Sequence, residues 1–246
     1  MKVFGLIGKS LQHSFSPRYF QEKFVRENLS NYQYRLFPLE DAADIRALVE
    51  DHPEISGLNV TIPFKQDVIP HLDFLDATAR KIGAVNTIKI IRHPTKAELV
   101  GFNTDAFGFQ HSCDMSGHHK PALILGTGGA SLAVKFVLTQ LQIPYLSVSR
   151  YPKTKQEISY SDLTGDIISK HKLIINATPL GMFPNLNQAP PLPYAAIGKE
   201  HFLYDLVYNP PQTLFLEKGK NAGAQIQNGE QMLQLQADRA WVIWNA

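Results

Sequence analysis

The residues with the most chemical content are Asn59-Val60-Thr61-Ile62-Pro63-Phe64-Lys65 and, further on, Asn103-Thr104-Asp105. In the first segment a short apolar strand over 55–60 ends in amide and hydroxyl side chains and then presents a lysine. The second opens a helix with an aspartate in its first turn. An ammonium and a carboxylate carried by different elements can converge and pass a proton. Hydride delivery to a ketone builds negative charge on its oxygen, which an ammonium stabilises and protonates. Asp105 would orient Lys65 and share the proton with it. By spacing alone, the simpler reading is a surface lysine and a helix N-terminal carboxylate favoured by the macrodipole.

A second pattern points to a nucleotide. Gly126-Thr127-Gly128-Gly129-Ala130-Ser131 follows an apolar strand and opens a helix. Phosphate binding requires backbone N–H groups close to the ligand, no Cβ in the way, and a helix N-terminus aimed at the charge. Ser131 stands where the G-x-G-x-x-G fingerprint has its third glycine, and serine is small enough to keep the helix close. A purely structural glycine turn is the alternative. The next strand ends in Ser147-Val148-Ser149-Arg150, followed by Lys153 and Lys155. NAD-binding units place a carboxylate at that strand end, and here cations stand instead, which favours the 2′-phosphate of NADP. A solvated basic loop is the competing reading. Proton transfer plus a dinucleotide implies hydride chemistry on a carbonyl or alcohol.

The elements that must position these groups alternate strand and helix, which predicts an α/β fold. Strands are expected at 3–7, 32–36, 55–60, 85–91 and 98–102, and helices at 16–27, 41–50, 65–72 and 77–82. Ser16 reads as an N-cap, with Pro17 at the first helical position. A helix from Asp105 to about Met115 leads through a polar segment, 116–121, into a second unit. There, strands at 122–125, 145–148, 173–176, 202–206 and 224–227 and helices at 130–141 and 211–222 make a doubly wound pattern. The expected organisation is an N-terminal α/β substrate domain over 1–103, completed by a C-terminal helix within 229–246, and a Rossmann-like NADP-binding domain over 104–228.

Composition narrows the partners. The chain has 246 residues, 44% of them hydrophobic, and a net charge of +2 from 24 basic and 22 acidic residues. That balance, with scattered cations, argues against nucleic acid but suits small anions. No apolar run approaches the roughly 20 residues of a membrane span. The single cysteine, Cys113, permits no intrachain disulfide, and the N-terminus lacks a signal-peptide pattern, so a cytoplasmic location is expected. His111, His118 and His119 have no third ligand at suitable spacing, so no metal is expected. Trp241 and Trp244, three apart on a helix, read as packing residues.

Taken in order, these motifs resemble the shikimate dehydrogenase family nearly end to end. The resemblance is carried by Gly5-Leu6-Ile7-Gly8 with His13-Ser14-Phe15-Ser16-Pro17, the Asn59–Lys65 segment, Ile82-Gly83-Ala84-Val85-Asn86-Thr87, and Gly101-Phe102-Asn103-Thr104-Asp105. Further along it is carried by Gly126-Thr127-Gly128-Gly129-Ala130, Asn176-Ala177-Thr178-Pro179-Leu180-Gly181-Met182, Tyr204-Asp205-Leu206-Val207-Tyr208-Asn209-Pro210, Asn228-Gly229, Met232-Leu233 and Gln236-Ala237. Phe20-Gln21 and Ser149-Arg150-Tyr151 depart from the family's usual His-Asn and Asn-Arg-Thr. The resemblance implies NADP-dependent reduction of 3-dehydroshikimate to shikimate, with Lys65 as acid/base and Asp105 beside it. It implies a substrate pocket of Ser14, Ser16, Thr61, Asn86, Asp105, Tyr208 and Gln236, in which the serines and Tyr208 donate to the carboxylate and the amides and Asp105 bond ring hydroxyls. It also implies a cofactor site of Gly126, Thr127, Gly128, Gly129, Ala130, Ser149, Arg150, Lys153, Asn176, Thr178, Leu206, Gly229 and Met232. The expected assembly is a monomer or homodimer. The alternatives are a quinate/shikimate dehydrogenase of relaxed cofactor use and a non-catalytic metabolite-binding homologue.

Overall fold

The run Val3-Phe4-Gly5-Leu6-Ile7 carries no polar side chain, as a strand covered on both faces requires. It forms β1 (Lys2–Gly8), with Val3, Phe4 and Ile7 fully buried. The computed structural model describes residues 1–12, 14–113 and 121–246. The chain divides into two units, Met1–Phe107 with Gln236–Ala246, and Gly108–Leu235.

In the first unit β1 is flanked in parallel by β2 (Tyr32–Pro38) and β3 (Ile55–Val60). The short β4 (Phe74–Leu75), β5 (Thr87–Arg92) and β6 (Ala97–Phe102) complete a six-stranded mixed sheet of order β2-β1-β3-β5-β6-β4, with β5 antiparallel to β3 and β6. The helices are α1 (Ser16–Arg26), α2 (Ile45–Asp51), α3 (Ala77–Ile82) and α4 (Asp105–Ser112), the last running across the boundary between units. Alternation along β1 sends Val3 and Ile7 to one face, where they pack with Ile45, Val49, Leu58 and Ile88.

The second unit contains β7 (Ala122–Leu125), α5 (Gly129–Gln140), β8 (Tyr145–Ser149), β9 (Glu157–Ser159), α6 (Gly165–Lys170), β10 (Leu173–Asn176), β11 (Phe202–Asp205), α7 (Leu214–Asn221) and β12 (Gln225–Gln227). Its sheet is wholly parallel, in the order β12-β11-β10-β7-β8-β9. The chain winds outward from β7 through β9 and then returns to β10 on the other side. The topological switch point therefore falls between β7 and β10, and ligands of such sheets bind beyond the carboxyl ends of the strands there. The α/β fold with a doubly wound second sheet agrees with the sequence reading.

The final helix, α8 (Glu230–Asn245), brings Ala237, Ala240 and Trp244 onto the second face of the first sheet, with Phe4, Phe20 and Phe24. Trp244 stacks on Phe4 with ring centroids 4.7 Å apart, and its Nε1 donates to the Ile88 carbonyl at 3.0 Å. Gly57 makes room, because a Cβ there would overlap the indole.

Some expected elements differ. Residues 65–72 form turns and a single 3₁₀ turn, Ile69–His71, because Pro70 has no N–H and its ring obstructs a regular helix. Ser16 is the first helical residue and not the cap; Phe15 is the N-cap, already in helical conformation, with no side-chain capping bond. The helix expected over 41–50 starts as a 3₁₀ turn, Ala42–Asp44, capped by Asp41. The end of the helix expected to reach Met115, the polar segment from Ser116 to Lys120 with His118 and His119, and His13 lie outside the described residues. Among the described residues no helix is long and apolar enough to cross a membrane.

Candidate functional site

Lys65 sits in the turn after β3. Phe64 and Val68 are buried in the core on either side of it, the Lys65 carbonyl accepts from Val85 N at 2.7 Å, and Thr61 N donates to the Ile7 carbonyl at 3.0 Å. The turn is thus fastened to the sheet, and the Ile62–Pro63 bond within it is cis. Asp105 begins α4, which Asn103 ties to the segment before β5: its Oδ1 accepts from Ala106 N at 3.1 Å, and its Nδ2 donates to the Ala84 carbonyl. These anchors bring Lys65 Nζ to 2.5 Å from Asp105 Oδ2, with the two side chains 15% and 8% exposed. At that exposure the pair is screened far less than a surface salt bridge.

Asn86 joins this pair to the rest of the site. Its Oδ1 accepts from Thr104 N at 2.7 Å and from the Thr104 and Thr87 hydroxyls at 3.1 and 3.2 Å. Because Thr104 N can only donate, the amide orientation is fixed and Nδ2 must face the other way. There it donates to Asp105 Oδ1 at 2.8 Å and to Gln236 Oε1 at 3.3 Å. Thr87 and Thr104 have no exposed surface, and Asn59 Nδ2 donates to Thr87 Oγ1 at 3.2 Å. Tyr34 Oη donates to Asn59 Oδ1 at 2.8 Å and also pairs with the Ser16 side chain; burial pushes this phenol well above the ordinary tyrosine range. One hydrogen-bonded chain therefore runs from Ser16 through Tyr34, Asn59, Thr87 and Asn86 to Asp105 and Lys65.

The structure brings Ser16, Asn86, Asp105, Lys65 and Gln236 into that connected set. Thr61 stands beside Gly8, where a Cβ would lie 2.6 Å from the threonine methyl. Ser14 is held by its backbone, Ser14 N donating to the Leu11 carbonyl. Tyr208 belongs to the second unit, beyond β11. Sequence reasoning missed Thr87, Thr104, Asn59 and Tyr34 as members of the network.

In the second unit Gly126 follows β7 with φ of +102°, a left-handed conformation that favours glycine. A Cβ on Gly126 would lie 2.9 Å from the Thr178 methyl, so the turns after β7 and β10 touch at the switch point. Gly128 is the N-cap of α5 with no side-chain capping bond, and nothing lies within 4 Å of a Cβ built there. That combination of uncapped helix N-terminus, left-handed glycine and open space suits a pyrophosphate. Thr127, Gly129 and Ala130 complete the turn and the first residues of α5. Gly229 packs directly on the Leu206 carbonyl, where any Cβ would collide, and Gly229 N donates to the Val207 carbonyl at 3.1 Å. Met232 is buried on α8.

Past β8, Ser149 Oγ accepts from Tyr151 N at 3.2 Å, and Arg150 and Lys153 are exposed. Sequence reasoning overlooked Glu157 here. Its carboxylate accepts from Lys153 N at 2.9 Å and stands 3.9 Å from the Lys135 ammonium. The acid thus shapes the basic loop and is compensated by its own lysine.

Comparison with known proteins decides the family. Residues 6–88 match the family model described as the shikimate dehydrogenase substrate binding domain. The shikimate dehydrogenase (NADP(+)) of Clostridium beijerinckii is 36% identical, over 99% of this chain and 92% of the relative. The chain belongs to the shikimate dehydrogenase family. Solved structures of the family agree. Shikimate dehydrogenase 1 from Peptoclostridium difficile superposes with a TM-score of 0.84 at 34% identity, covering 100% of this chain and 92% of that one. The Thermus thermophilus enzyme, solved in complex with NADP(H) and shikimate, gives 0.84 at 30% identity, covering 99% and 93%. Within the family frame, the segment matched by the substrate-domain model contains Lys65 and Asn86, while Asp105 and Gln236 reach the same cluster from α4 and α8.

Proposed function

We propose that this chain is an NADP-dependent shikimate dehydrogenase, an oxidoreductase that interconverts 3-dehydroshikimate and shikimate. The observation that carries the proposal is the Lys65–Asp105 pair, held by Asn86 in a family of that activity. In this reading the first unit takes the substrate and the second takes NADP.

NADP, when bound, supplies or accepts the hydride. The remaining work belongs to the chain. Lys65 Nζ donates a proton to the carbonyl oxygen of 3-dehydroshikimate as that oxygen gains negative charge, and takes it back from the hydroxyl in the reverse direction. Asp105 Oδ2 holds the ammonium on that line, and Asn86 Nδ2 holds Asp105. Ser14 and Ser16 bind the substrate carboxylate. Thr61 lines the pocket, and Asn86, Asp105 and Gln236 bind ring hydroxyls, so an analogue lacking one leaves a buried polar group unpaired. The cofactor residues fit the dinucleotide: Gly126 through Ala130 hold the pyrophosphate, and Ser149, Arg150 and Lys153 hold the 2′-phosphate. Asn176, Thr178, Leu206, Gly229 and Met232 surround the remaining portion. A cytoplasmic location is part of the proposal.

The test is shikimate-dependent reduction of NADP⁺ by the purified chain, with quinate and NAD⁺ as comparisons. Lys65→Ala is expected to lower turnover roughly 10²–10⁴-fold with modest change in KM. No reduction with shikimate, or near-normal turnover in the variant, would overturn the reading. Higher efficiency with quinate would reassign the substrate and leave the chemistry intact.

A further inference from the structure

Asp205, at the end of β11, has no exposed surface and no role in the chemistry above. Its oxygens accept three bonds: Oδ1 from Asn176 Nδ2 at 2.9 Å and Val207 N at 3.0 Å, and Oδ2 from the Thr213 hydroxyl at 2.5 Å. No cation contributes to its surroundings among the described residues. Burying a carboxylate without a counter-ion is costly even when it is hydrogen-bonded, and an apolar or amide side chain would fill the same space at lower cost. Stability alone does not account for an acid in this place.

What the acid touches does account for it. Asn176 Nδ2 is directed at Asp205, which turns Asn176 Oδ1 toward Thr178 N at 3.0 Å and the Thr178 hydroxyl at 2.6 Å. Thr178 in turn meets Gly126 at the switch point. On the other side, the bond to Val207 N sets the main chain that carries Leu206, and the Leu206 carbonyl lies against Gly229. Thr213, while donating to Asp205, caps α7 by accepting from Leu216 N. Asp205 is therefore the common support of Asn176, Thr178, Leu206 and Gly229. We propose that Asp205 is a positioning residue for NADP: it touches no part of the cofactor and fixes the segments that do. This rests on the reading that those four residues line the cofactor site.

The experiment measures NADP⁺ affinity by calorimetry, together with KM for each substrate, in folded Asp205→Ala, Asp205→Asn and Thr178→Val. Asp205→Ala is expected to weaken NADP⁺ binding about tenfold or more, with the KM for shikimate within about twofold of wild type. Asp205→Asn is expected to stay within about threefold, because its carbonyl can keep the Asn176 and Val207 bonds while its amide donates to a rotated Thr213 hydroxyl. Unchanged NADP⁺ affinity in Asp205→Ala overturns the proposal, and so does an Asn variant as impaired as the Ala one. If the Ala variant does not fold, Thr213→Val takes its place, with about threefold weaker NADP⁺ binding expected and an unchanged value overturning the proposal. Thr178→Val separates the premises. An effect there without one at Asp205 sinks only the positioning role, and no effect there sinks the reading of the cofactor site itself.

Discussion

Asp105→Asn is nearly isosteric, yet the geometry makes it one of the most damaging changes available. Asp105 accepts from Lys65 Nζ through Oδ2 and from Asn86 Nδ2 through Oδ1. Asparagine offers one acceptor and one donor. Neither neighbour can reverse its role: the ammonium has no lone pair, and Asn86 cannot turn without breaking the 2.7 Å bond from Thr104 N to its Oδ1. Whichever way the new amide lies, a donor faces a donor. Loss of a charge-assisted bond costs roughly 1.5–3 kcal/mol, and a buried donor left unpaired costs about 1–3 kcal/mol. A combined loss of about 3–5 kcal/mol, if it falls on the transition state, lowers kcat/KM roughly 10²–10⁴-fold.

Initial rates of shikimate-dependent NADP⁺ reduction, followed by absorbance, measure that loss. The partner exchange sharpens the test. Combining Asp105→Asn with Asn86→Asp gives a carboxylate at position 86 that accepts from Thr104 N and from the new amide, whose carbonyl then accepts from Lys65. About tenfold recovery over the single variant is expected from the restored matching. A folded Asp105→Asn enzyme within about threefold of wild type would refute the argument, because mismatched donors would then cost nothing.

Other perturbations probe the supports. Gly126→Val places a β-branched residue at φ of +102° against Thr178, and is expected to weaken NADP⁺ binding about tenfold by calorimetry, with shikimate KM unchanged. Trp244→Phe deletes the donor to the Ile88 carbonyl and leaves space beside Gly57, so denaturant unfolding should show a loss of about 1–3 kcal/mol. Burial raises the Asp205 carboxyl to about 6, against 3.8 ordinarily. The folded chain thus holds that proton more tightly than the unfolded one, and the contribution, up to about 3 kcal/mol, is full below pH 4 and lost as pH rises through 6. The titratable neighbours Tyr194 and Tyr204 are pushed upward by burial and stay neutral throughout, so Asp205→Asn should lose this slope, which then appears as the difference between the wild-type and variant stability curves.

The pairing of Lys65 with Asp105 was not legible from either residue alone, because an acid in a helix's first turn is ordinary and a lysine after a strand is usually at the surface; it was read from the ordered set of motifs around them. The glycine turn was legible because backbone geometry restricts it to glycine. Thr87 was not, because a threonine in a strand looks like an ordinary β-former until its cross-strand partner is known, and Asn59 and Thr104 stood in the motifs without the partners that tie them together. Ser16 misled for a related reason. Serine before proline reads as a cap, but Phe15 has already turned helical and the Ser16 hydroxyl is engaged with Tyr34. Glu157 and the short β9 and α6 carry too little apolar periodicity to register.

The two buried carboxylates lead to opposite expectations for one chemical change. At position 105 both partners are fixed donors, one an ammonium and the other an amide locked by Thr104 N. At position 205 one partner is the Thr213 hydroxyl, which can donate or accept by rotation about its C–O bond. Asparagine therefore breaks the first network and can be absorbed by the second. Burial does not separate the two sites, since both acids are almost wholly enclosed. The reversibility of the partners does, together with the ammonium that stands only at position 105. A substitution scan that found Asp→Asn equally harmful at both positions would mean that charge, and not the matching of donors to acceptors, governs these sites.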